Sequence, residues 1–236
     1  MKKPSLFLKA VVVLLLCSQA ALAKTVCMVG DSVVKRGGHW RHHMAQLAPF
    51  QYLGNYQDDP VKTGYPYWHD GVGGNTTVDV LNRIEVYTDQ NGNQVPPIPV
   101  CDITILHVGG NDLGKLERRA SAIANNVLDI ANRLKNRGSF VYVGTILPCN
   151  GCDGKDNEAI VWTNFLIKRA VKDFHPVLDH WKAILDSNCR AADLYQDPFH
   201  PKDLGYFVLA NYDLSILAPE TAPLLTGNPI CPESDQ

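Results

Sequence analysis

The apolar positions of this chain fall into two alternating patterns. Short solid runs, Val26 to Val29, Ile103 to Val108 and Phe140 to Ile146, have the form of strands buried on both faces. Between them, apolar residues recur at helical spacing. Val78, Leu81 and Ile84 mark one such segment, with Thr76 or Thr77 as its cap. Leu116, Ala120, Ile123, Val127, Ala131 and Leu134 mark the next, until Gly138 supplies the stop. Helices are also predicted over His39 to Leu47, Ala159 to Phe174 and Leu204 to Leu217, and short strands at Phe50 to Leu53 and Val177-Leu178. Strands alternating with helices predict an α/β domain whose parallel sheet carries helices on both faces.

Polar stretches interrupt this alternation. Val33 to Gly38 reads as a loop, and Gln90 to Pro99 as a Pro-, Asn- and Gly-rich excursion. The segment from Gly54 to about Gly74 is a long polar and aromatic flap containing Tyr65-Pro66-Tyr67-Trp68-His69. It is either a surface loop packed by its own aromatics or a wall of a substrate site. The cluster His39, Arg41, His42 and His43 raises the question of a metal. Adjacent His42 and His43 point in different directions on a helix and lack an acidic i+4 partner, so the cluster reads as a solvated or rim-facing surface.

Composition narrows the picture. A length of 236 residues suits one α/β domain, since such domains reach about 250 residues before splitting. A formal net charge of −2 gives no sign of a nucleic-acid partner. Lys2 and Lys3, the apolar run Leu6 to Leu16 and the small-x-small site Ala21-Leu22-Ala23 read as a secretory signal peptide over residues 1–23. Residues 24–236 are then a single exported domain, periplasmic or extracellular, with no integral membrane segment in the mature chain. Cys27, Cys101, Cys149, Cys152, Cys189 and Cys231 remain in it, an even set that suits disulfides in an oxidising compartment. Cys149-Asn150-Gly151-Cys152 reads as a local loop staple rather than a redox or zinc pair, and Cys27, inside a buried strand, as a free core thiol.

Candidate chemistry sits at the ends of the predicted strands. Gly30 and Asp31 turn the chain after Val26 to Val29 and leave Ser32 at a strand's carboxyl end, where open α/β sheets place ligands. A serine there acts as a nucleophile if an imidazole reaches it. Far downstream, Asp197-Pro198-Phe199-His200-Pro201 supplies one: Pro198 favours a tight turn that brings Asp197 back toward His200, and an Asp on one ring nitrogen leaves the other to take a serine proton. Three oxyanion donors are available, the backbone N–H groups of Ser32 and Gly74 and the side-chain amide of Asn111. This is acyl transfer without a metal or an organic cofactor.

These residues carry a resemblance. Gly30-Asp31-Ser32, Gly74 within Gly71-Val72-Gly73-Gly74-Asn75-Thr76-Thr77, Gly109-Gly110-Asn111-Asp112 and Asp197-Pro198-Phe199-His200 resemble, in order, the four blocks of the SGNH (GDSL-like) hydrolase family. The resemblance implies a flavodoxin-like three-layer α/β/α sandwich with a five-stranded parallel sheet. It also implies Ser32 as nucleophile, His200 and Asp197 as its partners, and Gly74 and Asn111 in the oxyanion hole. Within the family the chain is most similar to secreted carbohydrate esterases that remove acetyl groups, through the aromatic flap ending in His69-Asp70-Gly71 and the arginine-bearing helix after the nucleophile. It departs from the family pattern at Val33-Val34-Lys35-Arg36, where a small or hydroxyl residue and an early glycine are more usual. The resulting expectation is a secreted serine esterase acting on a small acyl ester or an acylated glycan. The alternatives are a lysophospholipase or thioesterase on longer chains, and a non-catalytic envelope-binding module on the same fold.

Overall fold

The computed structural model describes residues 23–88, 92, 94–116, 119–219 and 231. The reading of residues 1–23 as a signal peptide therefore falls almost wholly outside the described residues. In chain order the elements are β1 (Thr25–Gly30), α1 (Ser32–Lys35), α2 (Gly38–Leu47), β2 (Gln51–Leu53), β3 (Tyr56–Gln57), α3 (Pro60–Thr63), β4 (Trp68–Gly71), α4 (Thr77–Arg83), β5 (Tyr87–Thr88) and β6 (Gln94–Val95). They continue with β7 (Ile103–His107), α5 (Gly110–Leu116), α6 (Ala120–Asn136), β8 (Phe140–Gly144), α7 (Gly154–Val171), β9 (Val177–Leu178), α8 (His180–Asp186), α9 (Ala191–Leu194) and α10 (Asp203–Leu217).

Strand β1 is central. It pairs in parallel with β7, which continues to β8 and β9, and on its other side with both β2 and β4. β2 takes the first half of β1 (Thr25↔Gln51 to Cys27↔Leu53), and β4 takes the end (Val29↔Asp70, Gly30↔Gly71). One sheet position is thus shared by two short strands, and β3 adds an antiparallel edge beside β4. The five parallel positions expected from sequence are present, in flavodoxin-like order. The sheet counts seven strands because the chain leaves that position at Gly54 and re-enters it at Trp68.

Side-chain alternation explains the three layers. Val26 and Met28 face one way, into a core with Trp40 and Met44 of α2 and Leu209 and Leu214 of α10. Cys27 and Val29 face the other way, against Val80 of α4, Ile123, Val127, Ile130 and Leu134 of α6, and Ile167 of α7. Each aliphatic side chain fully buried this way contributes about 1.5–3 kcal/mol relative to exposure. Both faces of β1 are covered, so its sequence is apolar throughout.

Several expectations change. Val33 to Gly38 is not a loop: Ser32 to Lys35 form a helical turn capped by Asp31, whose carboxylate accepts from the Val33 N–H at 2.9 Å. The expected helix from Leu116 to Leu134 is two, α5 and α6. In α4 the buried stripe is Thr77, Val80 and Ile84, while Val78 is exposed. The capping box of Thr76 and Asp79 starts the helix where Thr77 turns inward, and that fixes the rotation of every later residue. Arg41 is fully buried rather than on a solvated rim. Cys27 is not a free thiol: it is bonded to Cys101, two residues before the neighbouring strand β7. Cys149 and Cys152 form the expected local staple, and Cys189 pairs with Cys231. Among the described residues, no helix is long and apolar enough to cross a membrane.

Candidate active site

Strands β1, β4 and β7 end in register, with Gly30 opposite both Gly71 and His107. The segments that follow them therefore leave the same edge of the sheet, and they carry Ser32 at the start of α1, Gly74 in a loop and Asn111 in α5. Gly30 makes the close approach possible, because a Cβ there would sit 1.9 Å from the His107 carbonyl oxygen. Gly74 adopts a φ of +79°, in the left-handed region that favours glycine.

Ser32 opens α1, and its Oγ lies 2.8 Å from Nε2 of His200. The other ring nitrogen, Nδ1, is 2.8 Å from both carboxylate oxygens of Asp197. The turn closes as Pro198 suggested: Oδ1 of Asp197 accepts from the backbone N–H groups of Phe199 and His200, each at 3.0 Å. The Asn150 N–H donates to the Pro198 carbonyl at 2.8 Å, so the loop of the Cys149–Cys152 staple buttresses this turn. Burial pushes the Asp197 carboxyl up, but the Phe199 N–H and the His200 imidazole outweigh it and hold the group below the usual carboxylate range. A serine hydroxyl so placed can pass its proton to the imidazole as it attacks a carbonyl, while the carboxylate steadies the charged ring.

The surrounding segments are locked by charged side chains whose partners sequence reasoning did not foresee. Arg36 donates from Nη1 to Oδ2 of Asp197 at 3.1 Å. Asp112 accepts from the Thr77 N–H at 2.8 Å and the Thr77 hydroxyl at 2.7 Å, clamping the first turn of α5 to the start of α4. Asn111 Nδ2 donates to the Asn75 carbonyl at 3.0 Å; an amide has two N–H bonds, so this contact occupies one and orients the other. Arg83 reaches Asn75 Oδ1 and the carbonyls of Gly30 and Asp70. Burial raises the Asp31 carboxyl to about 7 against its hydrogen bond from Val33, and nearby Asp112 adds to the rise.

The flap is anchored from within. Arg41 forms a two-pronged pair with Asp58, at 3.0 and 2.6 Å, and donates to the Val34 carbonyl of α1 at 2.8 Å. Tyr206 donates to the Val33 carbonyl beside it. His69 is buried, accepts from the Gly71 N–H at 3.0 Å and lies 3.7 Å from Asp58. Burial, reinforced by Arg41, holds its pKa down at about 3, so the ring is neutral. His69 and Asp70 are thus packing elements behind the site. Signals for Arg41 existed in the sequence only as an arginine among helical positions that otherwise pack inward, Trp40 and Met44.

A serine, an imidazole and a carboxylate thus meet at the carboxyl edge of an α/β sheet, where such folds place their ligands. The chain belongs to the GDSL-like lipase/acylhydrolase family, whose model matches residues 28–207, and it is a carboxylic ester hydrolase. Among solved structures, it resembles a lipolytic protein of the G-D-S-L family from Veillonella parvula DSM 2008, with 14% identity, 83% of this chain and 98% of the other covered, and a TM-score of 0.61. A carbohydrate esterase family 3 protein from Talaromyces cellulolyticus matches at 21% identity, 86% and 96% coverage and a TM-score of 0.59. An acetylxylan esterase from Geobacillus stearothermophilus matches at 16% identity, 81% and 92% coverage and a TM-score of 0.59. At these identities the likeness is one of fold. A search of curated proteins returns no match.

Proposed function

We propose that this protein is an exported serine esterase that removes O-acetyl groups from a carbohydrate through a triad of Ser32, His200 and Asp197. The observation that carries the reading is the unbroken relay from Ser32 Oγ through both His200 nitrogens to Asp197, each link 2.8 Å. Ser32 Oγ attacks the acyl carbon as His200 Nε2 takes its proton. The tetrahedral oxyanion is received by the Ser32 and Gly74 N–H groups and the Asn111 amide. His200 then protonates the leaving sugar oxygen, and the acyl group remains on Ser32. In the second half, water adds to the acyl-enzyme as His200 accepts its proton. That proton returns to Ser32 Oγ, releasing acetate.

Two things support the acetyl-glycan part: the likeness to carbohydrate and acetylxylan esterases, and the aromatic flap tied to the helix that Ser32 opens. Three disulfides suit an oxidising compartment and hence export. The test is labelling by a fluorophosphonate, followed by turnover of p-nitrophenyl esters of increasing chain length and of acetylated xylan. Stoichiometric labelling that vanishes in Ser32→Ala, with turnover greatest for acetyl, is expected. No labelling would leave a non-catalytic binding module, and a preference beyond about eight carbons, where each further buried CH2 adds roughly 0.8 kcal/mol, would shift the reading to a lysophospholipase or thioesterase.

A further inference from the structure

Outside the triad, a second group of side chains converges on one point. His39 and His43 lie one turn apart on the same face of α2 (Gly38–Leu47), and Asp203 is the first residue of α10 (Asp203–Leu217). A single carboxylate oxygen, Asp203 Oδ1, is 2.9 Å from Nδ1 of His39 and 2.7 Å from Nε2 of His43. The three groups can present one ligand atom each with all three atoms within 4.8 Å of one another. The His39 Nδ1 atom is shielded from solvent, and no described residue meets it with hydrogen-bond alignment, although the carboxylate oxygen lies close by. A cation centred between the three groups would give His39 Nδ1 the aligned partner it lacks, since both imidazole nitrogens already face one carboxylate oxygen.

We propose that His39, His43 and Asp203 form a binding site for a borderline divalent transition-metal ion, Zn2+ being the probe of choice. Two imidazoles and one carboxylate select Zn2+, Co2+, Ni2+ or Cu2+ over Ca2+ and Mg2+, which require mostly oxygen ligands. Two histidines at i and i+4 on one helical face are the spacing that lets neighbouring turns share an ion. Tetrahedral bonds of about 2.0 Å place ligands about 3.3 Å apart, so the two Asp203–histidine separations open by roughly half an ångström on binding. The side chains are free to make that move, since Asp203 is exposed and both imidazoles are only partly buried. Aromatic neighbours hold the rings in place: Tyr65 packs edge-on to His39, and Phe207 edge-on to His43. His42 takes no part. It stacks on Tyr65 with centroids 3.7 Å apart and lies 2.9 Å from Gln46 Nε2. An ion here fastens the helix that follows the Ser32 turn to the segment that begins three residues after His200. The site is separate from the triad and does not depend on the proposed esterase activity.

The experiment is calorimetric titration of untagged, metal-stripped protein with Zn2+, alongside thermal unfolding with and without the ion. Saturable binding of one ion per chain and a Tm raised by several degrees are expected. Substitution of Co2+ should develop visible ligand-field bands. His39→Asn and His43→Gln should each weaken binding at least about tenfold, since each removes one of three protein ligands, while His42→Gln leaves it unchanged. Asp203→Asn, at an exposed position, serves as the third ligand variant should either histidine change alter the metal-free Tm. No saturable binding below about 1 mM, or equal affinity in wild type and the His39→Asn/His43→Gln double variant, would overturn the proposal and leave an ion-paired cluster only.

Discussion

The guanidinium of Arg36 lies 3.1 Å from Oδ2 of Asp197, the carboxylate oxygen that the backbone of the turn does not use. Oδ1 is held by two N–H groups, Oδ2 by a side chain from the far end of the Ser32 turn, and the His200 ring bridges both. The hydroxyl and the carboxylate are therefore linked twice, once through the imidazole and once through Arg36.

Arg36 is half exposed, so its ion pair is screened by solvent and salt. Arg36→Gln is expected to lower kcat/KM by no more than about fivefold. The difference should shrink at high salt. Asp197→Asn, by contrast, should cost about 10,000-fold, because it disturbs the tautomer of His200. Steady-state kinetics on p-nitrophenyl acetate at low and high ionic strength separates the two; an Arg36→Gln defect as deep as that of Asp197→Asn would assign the arginine a larger role than positioning.

Asn111 is tied to the Asn75 carbonyl by one of its two amide protons. Asn111→Ala should reduce kcat by about 100- to 1,000-fold with little change in KM, as expected for a donor used mainly in the transition state. Loss confined to KM would remove Asn111 from the oxyanion hole.

The Arg41–Asp58 pair is fully buried. Removing one partner strands a charge, so Arg41→Leu or Asp58→Leu should each cost about 3–5 kcal/mol of stability. The double replacement should cost far less than the sum. Urea denaturation of the three variants gives the coupling directly.

His107 sits in the core against Trp40 and His180, and burial, aided by His180, holds its pKa at about 3. In the unfolded chain it titrates near 6.5. Between those values the unfolded state binds the extra proton, so its contribution to stability is lost as pH falls from about 6.5 toward 3. His107→Phe should flatten the pH dependence across that window by about one proton, or roughly 1.4 kcal/mol per pH unit. Denaturation midpoints measured from pH 7 to about 4, within the window those two pKa values set, would show it; an unchanged slope would mean that the ring is protonated in the fold.

Much of the fold was legible because burial on both faces makes β1 and β7 read as solid apolar runs, because β8 is apolar in sequence although Phe140 is exposed and Tyr142 half-buried, and because α6 keeps a strict apolar stripe. The four blocks around Ser32, Gly74, Asn111 and His200 were legible because they occur together in the family's order, each at a strand or helix end; singly, their residues suit an ordinary turn. What sequence reasoning missed depends on contacts across the chain. Arg36 meets a carboxylate 161 positions away, and Asp112 meets Thr77 35 positions away. Cys27 finds Cys101 only because β7 lies beside β1. Arg41 was misread for a related reason: a charged residue on a helix is ordinarily solvated, and its burial follows from Asp58, which belongs to a flap with no periodicity of its own.

That flap enters and leaves the sheet through two half-length strands sharing one slot, so its length can change without disturbing the parallel ladder. Its interior is less forgiving. One guanidinium grips Asp58 with one edge and the backbone of the Ser32 turn with another. A graft that swaps in a foreign flap must bring an acid to the same spot, or the altered specificity will arrive with a loosened nucleophile.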